Sequence, residues 1–179
     1  MTTQQLILII CAYSVGLVAV VYFTRATSRR VLGALVGGAA AGLMTLGMIA
    51  LCEAMGWWRI PLASTPHFLL LLYLGLVISY APIYLITWRV ARRFGWRGLA
   101  VSVGAAAVVG PPRDYLFAAS YPEWVVFAPG VAPMLAVSVT YFGIVALGHA
   151  VMRLVAGSAA GGALELLELP SGQATAAPK

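Results

Sequence analysis

The chain has 179 residues, 62% of them hydrophobic and 9% charged, with a formal net charge of +6 and a mean hydropathy of +0.96. Such a balance excludes an ordinary water-soluble domain, in which about a quarter of residues are charged. The basic residues are dispersed between apolar runs rather than gathered on one soluble face, so the positive charge does not point to nucleic acid.

Uncharged runs extend from Met1 to Thr24, Val31 to Cys52, Ile60 to Trp88, Gly98 to Pro112 and Trp124 to Met152. A helix needs about 20 mostly apolar residues to cross a bilayer, and four runs reach that length. Barrel strands would alternate apolar and polar residues, which these runs do not. The sequence therefore predicts an all-α, polytopic integral membrane bundle of five transmembrane helices over residues 1–155, followed by a tail at 156–179.

Span one is expected at 6–23. No basic residue precedes it, so the reading is a retained anchor rather than a cleaved signal peptide. Cys11 within it, and Cys52 beyond span two, read as small buried apolar residues. Span two, 31–51, carries Gly33, Gly37, Gly38 and Gly42 at four-residue spacings that admit close backbone approach. That stripe reads as an intramolecular packing face, with span four through Ala100, Gly104 and Ala107 as a candidate neighbour, the alternative being a surface for another membrane protein. The connection from Glu53 to Thr65 holds Trp57, Trp58 and Arg59, suited to a headgroup boundary.

Thr65 and Pro66 read as an N-cap and first-turn proline opening span three, 66–88. Pro82 should bend that helix. Tyr73, Tyr80, Tyr84 and Thr87 share a face that should turn inward, because hydroxyls seek partners in hydrocarbon. Span four, 96–115, crosses only if it continues past Gly110, Pro111 and Pro112, which together argue for a broken helix. Span five, 130–155, places Ser138, Tyr141 and His149 on one face. In the tail, residues 163–169 could form an interfacial helix before a disordered end.

Orientation follows from the basic residues. Nine of the eleven fall between spans one and two (Arg25, Arg29, Arg30), between three and four (Arg89, Arg92, Arg93, Arg97), or after span five (Arg153, Lys179). Lys and Arg are retained on the cytoplasmic side, which puts the N-terminus outside and the C-terminus inside. Heavy Ala, Gly, Val and Arg use with a single Lys associates the chain with a bacterial inner membrane.

Unusual polarity collects on the outer side around the segment from Gly110 to Gly130. Asp114, Glu123 and His67 are the candidate acids or bases. Arg113, Tyr115, Arg59, Trp124, Tyr80, Tyr84 and His149 are the candidate ligand-binding residues. Buried ionisable groups need partners; adjacent helical residues diverge by about 100°, so Asp114 is expected to meet Arg59 or His67, and Arg113 to meet Glu123 or Glu53. His149 should find Tyr84, Thr87 or a backbone carbonyl.

Several chemistries are excluded. The only lysine is Lys179, so no retinal Schiff base forms within the bundle. His67 and His149 lie at opposite depths, which rules out bis-histidine haem, and no metal-ligand spacing suggests zinc. No phosphate loop or nucleophile elbow is present. The leading functional reading is a non-catalytic subunit or scaffold binding membrane lipid or another apolar ligand. The alternative is a membrane enzyme acting on an isoprenoid or lipid at the outer leaflet, with Asp114 or Glu123 as acid or base. A small transporter is third, disfavoured by the absence of an internal repeat.

Overall fold

A computed structural model describes residues 3–60 and 66–157. The chain runs α1 (Thr3–Thr24), α2 (Ser28–Ala54), β1 (Trp58–Arg59), α3 (Pro66–Ser120), β2 (Val126–Phe127) and α4 (Val131–Ala156). All four helices are long and apolar enough to cross a membrane. The tail, with the helix expected at 163–169, lies outside the described residues.

The longest helix, α3, is interrupted at Gly95, whose φ of 65° and ψ of −154° leave the helical region. Its two arms, 66–94 and 96–120, fold back on each other, since Tyr80 of the first and Asp114 of the second line one cavity. A straight helix would hold these residues about 50 Å apart at 1.5 Å per residue. The chain reverses here through one glycine, because its missing Cβ makes a positive φ accessible.

The break expected at Gly110, Pro111 and Pro112 does not occur. Dihedral angles there stay helical, as they do through Pro82. Proline's fixed φ suits a helix, and its absent N–H removes a bond without forcing the chain out of helical geometry. Gly110 is instead a packing site: a Cβ on it would collide with the ring of Tyr141.

The glycine stripe of α2 works as a two-sided contact. Any Cβ on Gly33 would lie 3.1 Å from the Met152 carbonyl oxygen, and one on Gly37 would strike the carbonyl of Gly148, both on α4. On the other side, a Cβ on Gly38 would stand 2.5 Å from the Val77 carbonyl oxygen, and one on Gly42 would stand 3.1 Å from the Tyr73 ring. The partners are α4 and the first arm of α3, not Ala100, Gly104 and Ala107. All four glycines are buried, so these positions are filled from within the chain.

The inward face of α3 behaves as its sequence requires. Tyr73 donates to the Ala39 carbonyl at 3.3 Å, Tyr80 lies 3.2 Å from the Thr45 hydroxyl, and Tyr84 donates to the Ile144 carbonyl at 3.0 Å. Polarity is thus enclosed: Thr45, Thr87, Thr140 and His149 are buried, while Leu8, Val15, Val18 and Tyr22 are largely exposed. An apolar exterior around enclosed polar groups is the arrangement that lipid favours.

Candidate functional site

The site lies where the Gly110–Tyr141 contact brings α4 against the second arm of α3. Because Gly110 has no side chain, the Tyr141 ring settles on that helix and its hydroxyl reaches the next turn. There it donates to both carboxylate oxygens of Asp114, each at 3.0 Å. Arg113 donates to Asp114 Oδ1 from Nε at 3.1 Å and from Nη2 at 2.8 Å, and Nη2 also meets the Tyr141 hydroxyl. The Arg113 guanidinium carbon stands 5.3 Å from the Tyr141 ring centroid.

The expected partners of Arg113 are therefore corrected. Arg113 and Asp114 pair with each other, the only ion pair among the described residues. Adjacent Cα–Cβ vectors diverge, but the long arginine side chain curls back across the gap. Arg113 meets neither Glu53 nor Glu123. Glu53 accepts from the Ile60 backbone N–H at 2.8 Å, and Glu123 is exposed. With side-chain exposures of 67% for Arg113 and 28% for Asp114, the ion pair is worth under about 1 kcal/mol. Its structural consequence is orientation, since three groups fix one carboxylate.

This triad borders a cavity of about 460 Å³ and an adjoining lobe of about 350 Å³. Thr45 of α2, Tyr13 of α1, Tyr80 of the first α3 arm and Trp124 beyond the second supply further polar or aromatic wall. Leu72, Leu76 and Phe117 line both lobes, Ile144 lines the larger one, and Leu6 and Ile9 line the other. The space is mainly apolar, with one polar corner where Arg113, Asp114 and Tyr141 converge. Such a shape accommodates a molecule with a long apolar body and a hydrogen-bonding end.

The connections close over this end. Trp58 of β1 pairs with Phe127 of β2, and Arg59 pairs with Val126, in an antiparallel ladder. Trp58 is 8% exposed and donates to the Ile49 carbonyl at 3.3 Å. It packs on Phe127 edge to face, while Phe127 stacks on Tyr115 at 4.5 Å. Phe117, Tyr121 and Trp124 form a second aromatic group.

Of the candidate residues, Arg113, Asp114, Tyr80 and Trp124 come together on the cavity. Tyr115 supports the ladder, Arg59 is exposed on β1, and Tyr84 lies in the bundle core beneath α4. The side chain of His67 lies outside the described residues. His149 is 2% exposed, with Nδ1 3.0 Å from the Thr87 hydroxyl, one of its expected partners.

Tyr141, Thr45 and Tyr13 were not among the candidates. The signal for Tyr141 was its place on the polar face of α4; for Thr45 it was a lone hydroxyl in a glycine-rich span. Among the described residues, no three of His, Cys, Asp and Glu gather as a metal-ligand set. Compared with known proteins, the chain matches no family model, no curated protein and no solved structure.

Proposed function

We propose that this chain is a multi-pass membrane protein that holds an amphipathic apolar ligand, a lipid or isoprenoid, as a binding subunit of a membrane assembly. On this reading the two arms of α3 are separate crossings, making five in all. Glu53, Trp58, Asp114 and Trp124 then belong to the outer side, and the Gly95 turn with its arginines faces the cytoplasm. The N-terminus is outside, and the C-terminus is inside a bacterial inner membrane.

One observation carries the binding reading. An apolar cavity framed by α1, α2, α4 and both arms of α3 ends at a carboxylate held by Tyr141 and Arg113. The apolar wall takes the ligand's body and the polar corner orients its end. A non-catalytic role is preferred because Asp114 and Glu123 do not form a facing pair, Glu123 being absent from the cavity wall. An enzyme using Asp114 alone is the second reading, favoured by the carboxylate's position on that wall.

The test is purification in mild detergent followed by mass spectrometry of bound small molecules. Wild type should retain an apolar species at stoichiometric level, and Asp114→Asn with Tyr141→Phe should lose most of it. A folded, ligand-free wild-type protein would contradict the reading. If Asp114→Asn keeps its ligand but changes the lipid extract of producing cells, the enzymatic reading replaces it.

A further inference from the structure

A second cavity, about 540 Å³, lies at the opposite end of the bundle from Asp114. α1 sets the separation, since Leu6 and Ile9 near its start line a lobe of the first cavity and Thr24 at its end lines this one. The wall is formed by Arg25, Arg30, Arg89, Arg92 and Arg93 around Trp88. We infer that this cavity binds the phosphate headgroup of an acidic phospholipid in the inner leaflet.

Orientation alone explains why arginines occupy this side of the chain, but not why they converge. The positive-inside effect counts charges in connections and is indifferent to where their side chains end. Here guanidiniums from two helices, Arg30 of α2 and Arg92 of α3, close on one indole. The Arg30 carbon lies 4.0 Å from the Trp88 ring centroid and the Arg92 carbon lies 5.7 Å from it. Arg89 is turned toward α1 by donating to the Phe23 carbonyl at 3.3 Å. Like charges this close repel, and none of the five forms an ion pair among the described residues.

Two further features call for an anion. Trp88 is 8% exposed, lines the cavity, and its buried indole N–H has no hydrogen-bond partner among the described residues. A buried unpaired donor is costly unless something occupies the space beside it. The N-terminus of α2 also opens at this end, with no acidic residue in its first turn and no side-chain bond from Thr27 at its cap. Its dipole adds to the positive potential. Phosphate oxygens match the planar guanidinium forks that line the cavity, and the α2 dipole adds to their attraction. A phospholipid presents that group at this depth with its chains in the bilayer, and basic pockets between helices on the cytoplasmic side suit acidic headgroups.

The experiment titrates the delipidated full-length protein with dioleoyl phosphatidylglycerol, dioleoyl phosphatidylcholine or inorganic phosphate, reading bound adducts by native mass spectrometry. Phosphatidylglycerol should bind at least tenfold more tightly than phosphatidylcholine. The preference should fall tenfold or more in Arg30→Gln/Arg92→Gln and in Arg92→Gln/Arg93→Gln, the latter pair being exposed and tolerant of change. Trp88→Phe should weaken it while keeping the aromatic ring. Arg97→Gln/Arg153→Gln removes the same two charges outside the cavity wall and should change nothing. Equal loss in Arg97→Gln/Arg153→Gln would overturn the site in favour of diffuse attraction. Inorganic phosphate bound as tightly as the lipid would overturn the lipid assignment, and indifference between the two lipids would overturn both.

Discussion

Replacing Gly38 with alanine should destabilise the bundle, whereas the same change at Gly47, nine residues along the same helix, should not. At Gly38 the new Cβ would stand 2.5 Å from the Val77 carbonyl oxygen, while ordinary contact begins near 3.4 Å. The obstacle is backbone, so α2 and α3 must part by about 0.9 Å, the difference between those distances. Overpacking of this kind costs about 1–3 kcal/mol. It is opposed by the better helix propensity of alanine, at most about 1 kcal/mol. At Gly47 nothing lies within 4 Å, so only the propensity gain remains. The two variants should therefore differ by about 1–3 kcal/mol, with Gly38→Ala the weaker. Reversible unfolding in mixed micelles of mild detergent and dodecyl sulfate measures the difference. Equal stabilities would refute the close crossing of α2 and α3 on which the packing account rests.

Other outcomes follow from the same geometry. Gly110→Ala should displace the Tyr141 ring and, with it, the donor to Asp114, so bound-ligand retention should fall more steeply than stability. Tyr84→Phe should cost about 0.5–1.5 kcal/mol, the usual worth of one buried hydrogen bond, measured by the same micellar unfolding. Gly95→Ala should cost about 1–3 kcal/mol by forcing a side chain into strained backbone geometry, visible as a lowered midpoint without loss of helix content by circular dichroism. Trp58→Ala should cost about 3–5 kcal/mol as an aromatic truncation in a packed site, because Trp58 packs with Cys52, Ala136 and Val137.

The helices were legible because a long uncharged run has few alternatives once soluble folding is excluded. Their contacts were partly legible: four-residue glycine spacing announced a close approach but could not name the approaching helix, since many small-residue faces in the chain are equivalent by composition. Turn chemistry misled. Gly110, Pro111 and Pro112 carry the usual marks of a break, yet they remain helical, because Pro111 is buried and Gly110 receives Tyr141. The reversal falls at Gly95, which sequence alone presents as one more residue of an arginine-rich connection.

At the site, Asp114, Arg113, Tyr80 and Trp124 were identifiable because polar and aromatic residues are conspicuous in apolar surroundings. Their partners were not. Tyr141 reaches Asp114 only through packing against Gly110, a contact between residues 31 positions apart. The two-residue ladder of β1 and β2 is too short to leave a periodic trace, so the inward turn of Trp58 was invisible. The arginines had a sufficient explanation in orientation, and only the distances around Trp88 reveal that they converge.

The account depends most on the chain crossing a bilayer with its two cavities on opposite sides. Paired reporters, one active only in the cytoplasm and one only outside it, fused in the chain next to Arg92 and next to Glu123, test this directly. The cytoplasmic reporter should be active near Arg92 and the external one near Glu123. Activity of the same reporter at both positions, or recovery of the protein in the soluble fraction without detergent, would contradict the account.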